Sequence, residues 1–128
     1  MIKVVKFGGS SLASAEQFKK VANIIHAEDA RRYVVPSAPG KRFSEDIKVT
    51  DMLYECYGLA AKGKDYKTSL QNIKDRYYGI INDLGLDLSL EEEFKNIEAG
   101  FVAKSGRDYA ASRGEYLNGI VLAKYLGF

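Results

Sequence analysis

The chain has 128 residues, 46% hydrophobic and 28% charged, which fits one globular domain and excludes disordered or collagen-like compositions. Nineteen basic against seventeen acidic side chains leave a net charge of +2, spread evenly enough to exclude a dedicated nucleic-acid or membrane surface. The single cysteine, Cys56, excludes an internal disulfide scaffold, and with no bilayer-length apolar run and no signal-peptide pattern the expectation is a soluble cytoplasmic protein.

Residues 2–7, Ile-Lys-Val-Val-Lys-Phe, are short and β-branched and end at Gly8-Gly9, which predicts a strand. Ser14-Ala15-Glu16-Gln17 has the spacing of a capping box, and Phe18, Val21, Ala22 and Ile25 continue as the apolar stripe of a helix running to about Asp29. Tyr33-Val34-Val35, stopped by Pro36, reads as a second strand. Strand, glycine turn, helix and strand together predict a right-handed βαβ unit.

Residues 36–50 hold both prolines and have no helical period. A loop of that length in a compact domain is either functional or a surface excursion. From Asp51 onward the chain reads as helix. Met52, Leu53, Cys56, Tyr57, Leu59 and Ala60 form one stripe ended by Gly63. A second runs from Tyr66 to Leu84 and is ended by Gly85. Ser89 to Glu92 repeats the capping-box spacing ahead of a third stripe through Leu90, Phe94, Ile97 and Phe101. A fourth helix is expected from Arg107 to Leu126.

Two strands make a poor parallel sheet by themselves, and Leu126-Gly127-Phe128 ends like a helix about to give way to another strand. The expectation is therefore an α/β fold with few strands and much helix, of which residues 1–128 are the first part.

Three places carry candidate chemistry. Lys6-Phe7-Gly8-Gly9-Ser10-Ser11 stands where a strand passes into a helix. There, paired glycines admit close approach of an anion and lysine adds a mobile charge. It is neither a P-loop, whose lysine follows its glycines, nor a nucleophile elbow, because Leu12 replaces the second glycine. An ordinary glycine turn beside an exposed lysine explains the same residues. Ser112-Arg113-Gly114-Glu115 lies on a helix apolar nearly all round, which reads as buried. Glu115 would then need a partner, and an internal salt bridge, for example to Lys6, is preferred to a cationic ligand group. Ser37 and Thr50 offer hydroxyls for a carboxylate, while Thr50 also reads as a plain N-cap for a helix beginning at Asp51. His26 and Cys56 read as structural, the tyrosines as packing, and Glu91 to Glu93 as a solvated first helical turn.

Taken in order, these segments resemble the aspartate kinases. Val5-Lys6-Phe7-Gly8-Gly9-Ser10-Ser11-Leu12 is similar to that family's Lys-Phe-Gly-Gly-Ser/Thr-Ser signature. Val34-Val35-Pro36-Ser37-Ala38-Pro39-Gly40 resembles its Val-x-Ser-Ala-x-x-Gly segment, followed by Thr50-Asp51-Met52-Leu53. Ser112-Arg113-Gly114-Glu115-Tyr116-Leu117 resembles its Ser-x-Gly-Glu motif. The resemblance implies the amino-acid-kinase fold, a mostly parallel sheet between helical layers. It also implies transfer of the γ-phosphoryl group of Mg-ATP to the side-chain carboxylate of L-aspartate, on the route to lysine, threonine and methionine. Lys6 would stabilise the transferring phosphoryl, with Gly8, Gly9 and Ser10 at the β- and γ-phosphates. Ser37, Thr50 and Glu115 would hold aspartate, Glu115 facing its α-ammonium. ATP and Mg2+ are the implied cofactors, and the complete enzyme is expected to be a homo-oligomer. Two features depart from the family. The stretch between Gly40 and Thr50 is long and charged, and the second substrate-clamping segment, the adenine-binding half and the regulatory domains have no counterpart. Little or no kinase activity is expected of these residues alone. Another carboxylate kinase, such as a glutamate or acetylglutamate kinase, and a non-catalytic helical interaction domain are the competing readings.

Overall fold

Val4, Val5 and Phe7 lie in a strand, β1 (Lys3–Phe7), of the computed structural model, which describes residues 2–127. A second strand, β2 (Arg31–Pro36), runs parallel to it, from Lys3 beside Arg31 to Phe7 beside Pro36. Arg32 is skipped where Lys3 pairs Arg31 and Val4 pairs Tyr33, so β2 starts two residues before the expected Tyr33 and opens with a local irregularity. Pro36 closes the strand, where a missing N–H costs no ladder bond.

The two strands are joined through α1 (Ala15–His26). Ser14 caps it, its hydroxyl accepting from the Gln17 N–H at 3.5 Å, and Phe18, Val21, Ala22 and Ile25 are buried as the spacing predicts. Four further helices follow: α2 (Val49–Ala61), α3 (Lys67–Asp83), α4 (Glu91–Val102) and α5 (Arg107–Leu126). Gly63 and Gly85, with φ of 70° and 68°, take the left-handed conformation that ends α2 and α3 at the expected places.

The capping box at Ser89 does not form. Leu90 occupies the cap position, and its N–H donates instead to the Tyr78 hydroxyl at 2.9 Å. That hydroxyl in turn donates to Glu91 at 2.7 Å, while Ser89 only accepts from the Glu91 N–H. A side chain from α3 has displaced the local cap.

The core lies among the helices. Leu53 and Cys56 of α2, Ile73 and Tyr77 of α3, Phe94 and Phe101 of α4 and Leu117 and Val121 of α5 form one buried cluster. Tyr57 and Tyr109 stack edge-on against Phe101. Cys56 is fully enclosed there, and burial pushes its thiol up to about 11. The strands alternate. Phe7 and Val34 pack on the helical side, whereas Val4, Lys6, Tyr33 and Val35 face outward and are exposed. Among the described residues, no helix is long and apolar enough to cross a membrane.

Candidate functional site

The ladder between the strands continues past their ends. The Ser37 N–H donates to the Phe7 carbonyl at 3.1 Å, and the Gly40 N–H donates to the Gly9 carbonyl at 2.8 Å. The backbones of Gly9 and Gly40 touch. A Cβ on Gly40 would stand 2.6 Å from the Gly9 carbonyl carbon, and one on Gly9 would stand 3.0 Å from the Ala38 carbonyl oxygen. These glycines are required by the crossing of two chains rather than by positive φ. The Val49 N–H donates to the Pro39 carbonyl at 3.0 Å, which ties the start of α2 to the same turn.

α5 completes the arrangement. Ala38 presses on Gly114, where a Cβ would lie 2.7 Å from the Ala38 methyl. Asn118 donates through Nδ2 to the Ser37 carbonyl at 2.8 Å. Gly119 faces Pro36, and Leu122, Ala123 and Leu126 line a groove with Arg32, Tyr33 and Val34. The helix therefore runs back along β2, and its first half overhangs the C-terminal ends of the strands, where open parallel sheets bind ligands. Four separated segments meet there: the glycine turn, the 37–40 turn, the first turn of α2 and the Gly114–Asn118 stretch of α5.

Lys6 is exposed on the outer face of β1, next to Val35. Gly8 and Ser10 are exposed, and Gly9 is half-buried beneath Ala38 and Gly40. Ser37 and Thr50 are half-buried, and Glu115 is exposed.

Three expectations change. Thr50 is not an N-cap: α2 begins at Val49 with Lys48 as its cap, so Thr50 stands inside the first turn. The glycine turn does not feed an α-helix directly. It enters a single 3-10 turn (Gly9–Leu12), and α1 starts only at Ala15, so the dipole of α1 is not at the glycines. Glu115 is neither buried nor joined to Lys6, and among the described residues no ion pair reaches it. The reason is geometric. The buried side of α5 is Ala110, Gly114, Leu117, Asn118, Val121 and Leu122, and Glu115 lies off that side, exposed. Lys6 leaves the sheet on the face opposite the helix.

Sequence reasoning passes over three side chains that hold this end together. Tyr77 is completely buried, and its hydroxyl donates to the Gly114 carbonyl at 2.8 Å. Asn118 is also wholly buried, and its Oδ1 has no hydrogen-bond partner among the described residues. Arg76 is buried with its guanidinium directed at three backbone carbonyls: Ile47 at 3.1 Å, Ala13 at 3.2 Å and Gly40. Burial draws its pKa down from the ordinary arginine value. The nearest carboxylate, Asp46 at 3.8 Å, is already gripped by the Arg42 side chain at 2.7 and 3.0 Å and by the Arg42 N–H at 2.9 Å. Those bonds hold the Asp46 carboxyl well below the usual carboxylate range. The available signal was a polar residue inside an apolar stripe: Arg76 between Ile73 and Ile80, and Asn118 between Leu117 and Val121.

Comparison with known proteins gives one consistent answer. The family model described as the amino acid kinase family matches residues 1–127. Aspartokinase 3 of Bacillus subtilis is 43% identical over 95 residues, covering 74% of this chain and 21% of that protein. An aspartokinase of Chlamydia trachomatis is 31% identical over 128 residues, covering 95% of this chain and 27% of its own length. Among solved structures, the aspartate kinase of Clostridium acetobutylicum superposes with a TM-score of 0.92 at 45% identity, over 97% of this chain and 29% of that one. Escherichia coli aspartokinase III, solved with aspartate and ADP, superposes at 0.76 with 23% identity over 99% of this chain and 29% of its own, a likeness of fold. The chain thus spans between a fifth and three tenths of these relatives, and the expected fold class, few strands and mostly helix, holds.

Proposed function

The chain belongs to the amino acid kinase family, and on that premise we propose that it carries the phosphoryl-contacting turn and part of the acceptor pocket of an aspartate kinase. The relatives matched over most of its length are aspartokinases. One observation carries the reading: four segments far apart in sequence converge at the C-terminal strand ends, and Glu115 stands on one of them, exposed and, among the described residues, without an ion-pair partner.

In this reading a β-carboxylate oxygen of L-aspartate attacks the γ-phosphorus of ATP, the bond to the bridging oxygen breaks, and ADP leaves with that electron pair. The carboxylate is already an anion at neutral pH, so no general base is needed, and positioning and charge neutralisation do the catalytic work. Lys6 neutralises charge on the transferring group, and backbone donors of Gly8, Gly9 and Ser10 face the β- and γ-phosphates. Ser37 and Thr50 hold the amino acid by hydroxyls, and Glu115 receives its α-ammonium. The described residues include no group of three or more His, Cys, Asp or Glu able to hold a metal. Mg2+ would come with the nucleotide and would offset the charge of its phosphates. A cytoplasmic, self-associating enzyme completes the proposal.

The test uses the protein as its gene encodes it. Lys6→Ala and Glu115→Ala should each lower turnover with ATP and aspartate by at least about 10²-fold, the scale of losing one transition-state electrostatic contact. Aspartate should be preferred to glutamate and acetylglutamate. Unchanged rates in both variants refute the assignment.

A further inference from the structure

We propose that Arg76 of α3 is a positioning residue for this site, one guanidinium setting the relative placement of the three loops that carry its proposed contacts. The inference rests on the kinase reading and deepens it. The three carbonyls held by Arg76 belong to three different segments. Ala13 follows the glycine turn and its 3-10 continuation. Gly40 closes the turn that begins at Ser37 and lies against Gly9. Ile47 stands just ahead of the first turn of α2, which holds Thr50. Its neighbour Tyr77 holds the fourth segment through the Gly114 carbonyl. α3 contributes no proposed substrate contact, yet Arg76 and Tyr77 bond backbone carbonyls in or beside the glycine turn, the 37–40 turn, the first turn of α2 and the Gly114 stretch of α5.

Packing alone does not call for an arginine here. A buried cation loses its hydration, and replacing such a group by apolar side chains is often neutral or stabilising. Asp46 is shared with Arg42, and among the described residues the Arg76 Nε has no hydrogen-bond partner. What the guanidinium supplies is a rigid planar fork that fixes angles among several acceptors at once, which a lysine ammonium on a flexible stem does not reproduce.

The experiment compares Arg76→Ala, Arg76→Lys and Ile73→Val in the protein as its gene encodes it, at a temperature where circular dichroism shows each folded. Ile73 is a buried α3 residue with no part in the carbonyl clamp. In Arg76→Ala, kcat per folded molecule should fall about 10²-fold, the scale of a misplacement near 1 Å, with KM for ATP rising as well. Arg76→Lys should recover only part of the rate. Guanidinium at millimolar concentration should partly rescue Arg76→Ala, and ammonium should not. Ile73→Val should keep its rate per folded molecule. Should Arg76→Ala not fold, Arg76→Lys decides by the same readouts. Wild-type kcat and KM in the folded Arg76 variants, or an equal loss in Ile73→Val, overturn the positioning role alone. Failure of the unsubstituted protein to phosphorylate aspartate overturns the kinase reading, and this role with it.

Discussion

The helical half and the sheet treat their apolar residues in opposite ways. Phe94, Phe101 and Leu117 are at most 1% exposed, whereas Val4 is 68% exposed, Tyr33 60% and Val35 46%. α2 to α5 enclose one another on several sides, while among the described residues the strands pack on the core through the face that holds Phe7 and Val34. The difference separates two duties. Folding free energy is concentrated among the helices, and the strands act as an arm that carries the glycine turn to the meeting point of the four segments.

The comparison breaks if a strand residue proves as costly as a helical one. Phe101→Ala should lower stability by about 3–5 kcal/mol, the usual loss for an emptied aromatic core position. Val35→Ala should stay within about 0.5 kcal/mol, as exposed substitutions do. Urea unfolding followed by circular dichroism measures both. Gly40→Ala probes the joint between the two halves. Its Cβ would collide with the Gly9 backbone rather than with a movable side chain, so a loss of about 1–3 kcal/mol is expected by the same assay.

The smallest effect concerns acid. Because Arg42 holds the folded-state pKa of Asp46 below its unfolded value, the stabilisation from this carboxylate is fully present above about pH 4. It is lost as pH falls through the lowered value. Arg42 is half-exposed, so Asp46→Asn should flatten the fall in stability between pH 5 and 2 by no more than about 1 kcal/mol. An identical acid profile in the variant would remove Asp46 from the account.

What was legible in the sequence was whatever local physics decides. Ser14 caps α1 because its acceptor lies three residues from the N–H that it satisfies, and glycines end helices where φ must turn positive. The four motif segments were legible too, since strand-to-turn transitions and small residues mark close crossings. Other features are set from a distance. α2 starts at Val49 because that N–H is taken by Pro39 across the turn. Leu90 replaces Ser89 as cap because Tyr78 reaches it from α3. Glu115 looked buried among small residues, but α5 overhangs the strands and leaves it in solvent. Arg76 and Asn118 stood out only as polar residues inside apolar stripes, and what they organise was not legible, because their partners are backbone carbonyls, which every residue possesses.

The enclosed sulfur of Cys56 has a practical consequence. A thiol that is sealed among helices and hard to ionise reacts with an alkylating reagent only while α2 is lifted from its neighbours. As the one thiol of the chain, it is a built-in stopwatch: the speed of its labelling under native conditions clocks how often the helical half breathes, with no probe attached.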